Sequence, residues 1–153
     1  VVRPFSTRRS NEIVRAPKVY GFDTGFVRYH CGWTDPRPED LGVLWEHYVL
    51  NEIHATAPEA RPRYWRTKTG HEVDFVVPVA GGGLAAIECK WRAYGDHDFG
   101  GLRMFRHAYP DGATFVVGED VTRRHPGTVD GIQVEFLPVG ELGDALAALG
   151  PRP

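Results

Sequence analysis

An α/β domain with a mixed β-sheet flanked by helices is the fold class this sequence predicts. Three observations predict it. Residues 41–56 carry apolar side chains at helical spacing. Three strand-like runs follow, with glycine-bearing turns between them. A second helical stretch then leads into two further strand-like runs. The 153 residues suit one domain with a real core. Hydrophobic residues make up 42% and charged residues 25%, the balance of a soluble globular protein. No apolar run approaches the roughly 18 residues needed to span a bilayer, so no membrane contact is expected.

Residues 1–38 read as an N-terminal arm or linker. Arg3, Arg8, Arg9 and Arg15 occur there with little periodicity. Lys18 to Phe22 suits a short strand that turns at Asp23-Thr24-Gly25. The chain opens with Val1 rather than Met, which predicts a piece of something longer. Residues 39–153 form the expected α/β domain. Pro36 and Pro38 lie in a loop that delivers a helix, and Pro38-Glu39-Asp40 suits its start, because acids favour the positive end of the helix dipole. Along that helix Leu41, Leu44, Trp45, Tyr48, Val49 and Ala55 share one broad face. Glu52 falls inside the apolar arc and Glu46 at its edge. Pro58 and Pro62 end it.

The three strand-like runs are Arg63–Thr67, Glu72–Val79 and Leu84–Trp91, with turns at Thr69-Gly70 and Gly81-Gly82-Gly83. Phe99–Tyr109 reads as the second helix and carries Arg103, Arg106 and His107. Ala113–Val117 and Ile132–Val139 read as two more strands, and Glu141–Leu149 as a closing helix stopped by Gly150-Pro151. Cys31 and Cys89 lack CxxC spacing, which fits reduced thiols and a cytoplasmic location. The net charge of -2 does not advertise nucleic acid, so any such contact needs local cations.

Two charged groups interrupt the apolar strands: Asp74 within Val73-Asp74-Phe75-Val76-Val77, and Glu88-Cys89-Lys90 after Leu84-Ala85-Ala86-Ile87. Buried charges are costly unless something pairs with them. The odd positions of both runs are apolar. If one face is buried, odd must oppose odd, which sets Asp74 opposite Glu88 and leaves Ala80-Gly81-Gly82 as the turn between Val79 and Gly83. Opposed residues have Cβ atoms only about 4.5–5.5 Å apart. Two carboxylates that close repel unless a cation lies between them. The same parity pairs Trp65 with Val73 and places Tyr64, Arg66 and Lys68 on the face of Asp74. Arg66 and Lys68 would there suit phosphate oxygens.

That constellation points to metal-dependent phosphodiester hydrolysis. Mg²⁺ or Mn²⁺ prefers hard oxygen ligands, which Asp74, Glu88 and the Cys89 carbonyl could supply. Lys90, two residues from Glu88, could position or deprotonate the water or offset transition-state charge. Glu46 could reach the ion through water or hold Lys90. The expected catalytic set is Glu46, Asp74, Glu88 and Lys90.

These elements resemble the core of the PD-(D/E)XK nuclease superfamily: a helix with Glu46, a strand with Asp74, a hairpin partner with Glu88-x-Lys90, then helix and strand. The resemblance implies a restriction-endonuclease-like architecture. Ile87-Glu88-Cys89-Lys90 is similar to the matching segment of archaeal Holliday-junction resolvases, which implies branched DNA as substrate and a homodimer. Ala16-Pro17-Lys18-Val19-Tyr20, Leu44-Trp45-Glu46-His47 and Tyr64–Phe75 resemble the uncharacterised domain that closes many prokaryotic AAA+ ATPase chains. That resemblance implies preceding ATPase and winged-helix modules, and no GxxxxGK[ST] loop occurs here to hold ATP. Two departures stand out. Val73 occupies the place of the proline that usually precedes the superfamily aspartate, and no Gln-x-x-x-Tyr follows Lys90. The alternative reading is a non-catalytic module of an ATPase that binds nucleic acid or protein, with Asp74, Glu88 and Lys90 as a structural ion-pair cluster.

Overall fold

The computed structural model describes residues 1–6, 16–95 and 97–150. Arg8, Arg9 and Arg15 of the expected arm, and Pro151, lie outside them. The elements are α1 (Thr24–His30), α2 (Pro38–Thr56), β1 (Arg63–Arg66), β2 (Glu72–Pro78), β3 (Leu84–Lys90), α3 (Gly100–Ala108), β4 (Thr114–Gly118), β5 (His125–Val129), β6 (Ile132–Leu137) and α4 (Leu142–Leu149). The strands form one six-stranded sheet in the order β1-β2-β3-β4-β6-β5. β3, β4 and β6 run parallel, and the other pairings are antiparallel. The sheet is therefore mixed, as the sequence predicts. The β3-α3-β4 segment is the helical crossover that a parallel pair requires.

Both faces of the sheet are buried, not one. On the first face, Trp45, Val49 and Ile53 of α2 pack on Phe75, Ile87 and Phe115, with Leu142 and Leu146 of α4. On the second, Leu102 and Phe105 of α3 pack on Val73, Val76, Ala86 and Val116. This explains why Leu84-Ala85-Ala86-Ile87 is apolar without alternation: a strand covered on both sides buries every side chain. The ends of α2 are set locally. Pro38 opens it, and the Arg37 N–H donates to Asp40 Oδ2 at 3.0 Å. Farther along, Trp45 Nε1–H donates to the Val117 carbonyl at 3.0 Å, which pins this helix over the end of β4 and carries Glu46 to the sheet.

The β2–β3 register is the expected one, with Phe75 opposite Ile87 and Val77 opposite Ala85. The Val79 N–H donates to the Gly83 carbonyl at 3.0 Å, and Gly81 turns the chain at φ 72°, where a side chain would be strained. Trp65 pairs with Val73, also as expected. The expected continuous odd face of β2 does not form. Arg63 pairs with Val76 and Trp65 with Val73, so Asp74 and Phe75 together oppose the single Tyr64. This β-bulge breaks the alternation. Val73 belongs to the second core and Phe75 to the first.

Other departures have local causes. Instead of a strand over Lys18–Phe22 there is one bridge, Val2 to Lys18, and buried Val2 joins the first core. The Asp23 turn is a helix cap: Asp23 Oδ1 accepts the Phe26 N–H at 2.9 Å and starts α1. β5, of sequence His-Pro-Gly-Thr-Val, lacks an apolar pattern and forms at the sheet edge, where Pro126 needs no ladder partner on its outer side. Arg106 is not a wet-face cation. Its guanidinium donates to Thr114 Oγ1 at 2.7 Å, to the Leu84 carbonyl at 2.9 Å and to the Ala113 carbonyl. Burial lowers its pKa to about 10, against the opposing charge of Asp111.

The second layer meets the sheet at Gly101. A Cβ there would fall inside the van der Waals radius of the Glu72 carbonyl oxygen. Gly101→Ala should therefore push α3 off β2 and destabilise the fold by about 1–3 kcal/mol. Urea unfolding would show this as a lower midpoint at unchanged slope, and an unshifted midpoint would contradict the close approach.

Candidate active site

The ladder between β2 and β3 stops at Phe75–Ile87, one residue short of Asp74 and Glu88. Beyond that point Asp74 Oδ2 accepts the Cys89 N–H at 2.8 Å, so a side chain closes the gap where backbone pairing ends. Within β3, Glu88 and Lys90 alternate with Ile87 and Cys89, which pack against the first core. Asp74 and Glu88 thus both lie just past the end of the β2–β3 ladder rather than opposed across an unbroken face. Asp74, Glu88, Cys89 and Lys90 line one open cleft of 530 Å³, together with Glu46, Trp91 and His97.

Lys90 Nζ donates to Glu88 Oε1 at 2.8 Å and stands 5.5 Å from the centre of the Phe99 ring. Glu88 is 8% exposed, and its Oε2 is buried without a hydrogen-bond partner among the described residues. Burial pushes the Asp74 carboxyl well above the usual carboxylate range, and Glu88 and Glu46 push it the same way. Burial also raises Glu88, against the opposing pull of Lys90. Burial works against the Lys90 ammonium, but Glu88 beside it outweighs this and raises its pKa. The Cys89 thiol is raised by burial and then by Asp74, so it is no nucleophile.

Sequence reasoning missed three members of this site. Glu72 joins Glu46 and Asp74: one carboxylate oxygen from each lies within 4.8 Å of the others. Lys18 Nζ donates to Glu46 Oε1 at 3.0 Å and is ion-paired with Glu72. Tyr20 donates its hydroxyl to Glu46, and burial followed by the Glu46 charge raises its pKa. Glu72 was legible as the residue two before Asp74; Lys18 and Tyr20 were not, because a single backbone bridge delivers them. The two expected phosphate contacts are placed differently. Arg66 Nε lies 3.4 Å from Glu72 Oε2 at the exposed end of β1, and Lys68 is exposed in the β1–β2 turn.

The donor set fits a hard divalent cation. Carboxylate oxygens of Glu46, Glu72 and Asp74 cluster within 4.8 Å of one another, Glu88 in the cleft that Glu46 and Asp74 also line carries a buried oxygen without a partner among the described residues, and burial opposes the ionisation of Asp74 and Glu88. Without a cation, the sign of the pH effect follows. Unfolded Asp74 ionises near pH 3.9, whereas the folded state keeps its proton to higher pH. The stability present below the unfolded value is therefore lost as pH rises through the folded one. Asp74→Asn stays neutral throughout. In chelator it should melt above wild type at pH 8, and the gap should close toward about pH 4. A gap independent of pH would contradict the strained carboxyl.

The chain is 35% identical over 71 residues to the uncharacterized proteins Mb2031c of Mycobacterium bovis and Rv2008c of Mycobacterium tuberculosis. The match covers 44% of this chain and 16% of each relative, so the chain spans a small part of those proteins. One chain of a solved half-complex of Thermococcus gammatolerans McrB AAA+ hexamers with bound McrC superposes with a TM-score of 0.47 at 11% identity. That superposition covers 63% of this chain and 27% of the other. No helix among the described residues is long and apolar enough to cross a membrane. A family model, Domain of unknown function (DUF4143), matches residues 41–137. That span runs from α2 to β6 and includes Glu46, Glu72, Asp74, Glu88 and Lys90, and on this match the chain belongs to the DUF4143 family.

Proposed function

We propose that this domain is a PD-(D/E)XK-type nuclease that hydrolyses DNA phosphodiesters with Mg²⁺ or Mn²⁺. The observation that carries the reading is the cleft at the β2–β3 opening. There a Glu88 oxygen, buried and without a partner among the described residues, belongs to the same cleft lining as Asp74, with the Lys90 ammonium 2.8 Å from the other Glu88 oxygen. Asp74, Glu88 and the Cys89 carbonyl would hold the cation, with Glu46 near enough to act through water. When bound, the cation would lower the pKa of a water and offset charge on the scissile phosphate.

The chain's own residues supply the rest. The raised pKa of Lys90 keeps it an ammonium at neutral pH, so it acts as a charge and a donor, not as a base. From its place beside Glu88 it would orient the attacking water or donate to a phosphate oxygen as charge builds there. Glu88 holds that ammonium in place through Oε1. Asp74 is held in turn by the Cys89 N–H, which fixes the end of the carboxylate while the cleft opens outward. Trp91 and His97 wall the cleft.

In the same reading the domain belongs to a longer ATPase-containing protein with a winged helix, works on branched DNA, and acts in the cytoplasm as a homodimer. The sequence resemblances described above support this part. A second reading, a non-catalytic interaction module, draws support from α1. That helix buries no residue, and Phe22 and Tyr29 around it are 87% and 85% exposed, an unusual apolar display.

Incubating supercoiled and branched DNA with the protein in Mn²⁺ separates the two. Wild type should nick or cleave, and Lys90→Ala should slow this by about 100-fold or more, the usual loss on removing one transition-state donor. Absence of cleavage by wild type would favour the interaction module. Cleavage undiminished in the variant would place the chemistry elsewhere.

A further inference from the structure

Lys18 stands where a cation would be expected. Its ammonium donates to Glu46 Oε1 at 3.0 Å and is ion-paired with Glu72, and Asp74 adds its charge to the same group. These are the three acids whose ligand oxygens lie within 4.8 Å of one another. In an octahedral shell with oxygens about 2.1 Å from the ion, neighbouring ligands stand about 3 Å apart and opposite ones about 4.2 Å. The trio therefore needs only a small contraction to become a ligand set. A second observation lies next to the trio: the cleft lined by Glu46 and Asp74 also holds Glu88, whose buried Oε2 has no partner among the described residues.

We propose that Lys18 is a built-in counter-ion that competes with the divalent cation, so that the metal enters only as the Lys18 ammonium leaves. The inference rests on the metal-dependent reading above and concerns the regulation of that same site. The Lys18 ammonium and a divalent cation at this trio would draw on the same carboxylate oxygens and repel each other at close range, so each weakens the binding of the other. The anchoring of Lys18 suits a group that moves. Its backbone is held by the single Val2–Lys18 bridge, outside the regular strands, and its side chain is 28% exposed. The ammonium also has a second contact close by, the Tyr64 ring, whose centre is 5.6 Å away. Lys90 is anchored differently, since its backbone belongs to β3 and its ion pair is with Glu88, two residues away on the same strand.

Calorimetric titration of the chelator-treated protein with Mn²⁺ at pH 7.5 tests this. Lys18→Met keeps the apolar stem and removes the charge, and it should bind Mn²⁺ at least about tenfold more tightly than wild type, or 1.4 kcal/mol. Lys18→Arg keeps the charge and should stay near wild type. The same titration followed by thermal melting should show a larger Mn²⁺-induced rise in Tm for Lys18→Met than for wild type. If Lys18→Met does not fold, Lys18→Gln carries the same expectation. Equal or weaker binding by the neutral variant overturns this inference and leaves the metal centre standing. No Mn²⁺ binding by any of these proteins overturns both.

Discussion

The site depends on one irregularity, the bulge that sets Asp74 and Phe75 against the single Tyr64. Without it, β2 would alternate strictly, and Val73 and Phe75 would lie on one face. With it, Val73 serves the α3 layer and Phe75 the α2 layer, so both cores close around a strand that carries a carboxylate between them. A bulge bends its strand and increases the local twist. The ladder to β3 ends at that place, and the freed Cys89 N–H goes to Asp74 instead of to a backbone carbonyl. The hydrogen bond satisfies a buried donor and fixes an acid by the same contact. Packing, backbone accounting and site geometry are thus one event rather than three.

The price of the arrangement is electrostatic. Asp74 and Glu88 are pushed toward their neutral forms by burial, and Glu46 opposes the ionisation of each. A fold assembled for stability alone would place apolar groups here, since buried ion pairs seldom outperform good packing. Acids retained at the mouth of a cleft, beside an unpartnered oxygen, are instead what a cation-dependent reaction needs.

Much of this was legible in the sequence. The parity of apolar positions yielded the β2–β3 register and the Trp65–Val73 pair, because a one-residue slip would turn every side chain over. Pro38-Glu39-Asp40 marked the start of α2 within a residue. The parity reasoning nevertheless assumed one buried face and strict alternation, and both assumptions fail at Asp74. A bulge has no composition signature when the extra residue is itself the functional one. α1 stayed hidden because its helix buries nothing and so leaves no periodic pattern, and β5 because an edge strand containing Pro and Gly reads as a turn. Lys18 and Tyr20 stayed hidden for a topological reason. They reach Glu46 across a sequence separation that no local spacing encodes.

The two lysines divide the acids unequally, and the division follows from how each is carried. Lys90 shares a strand with Glu88, two residues away, so the pair is projected together by the pleat and held by the β4 ladder alongside. Its position is a property of the sheet. Lys18 meets Glu46 and Glu72 from a segment outside the regular strands, held by the Val2–Lys18 bridge and by side chains that donate to the Ala16 and Phe22 carbonyls, and its neighbour Val19 is 74% exposed. Both ammonium groups ride on stems that rotate, but the Lys90 backbone is fixed by the β4 ladder whereas the Lys18 backbone lies outside the regular strands. A cluster with one fixed ammonium and one removable ammonium can hold its acids at close range without a metal and still present them when a cation arrives. In the proposed metal-dependent reading, the fixed lysine belongs to the chemistry and the removable one to its control.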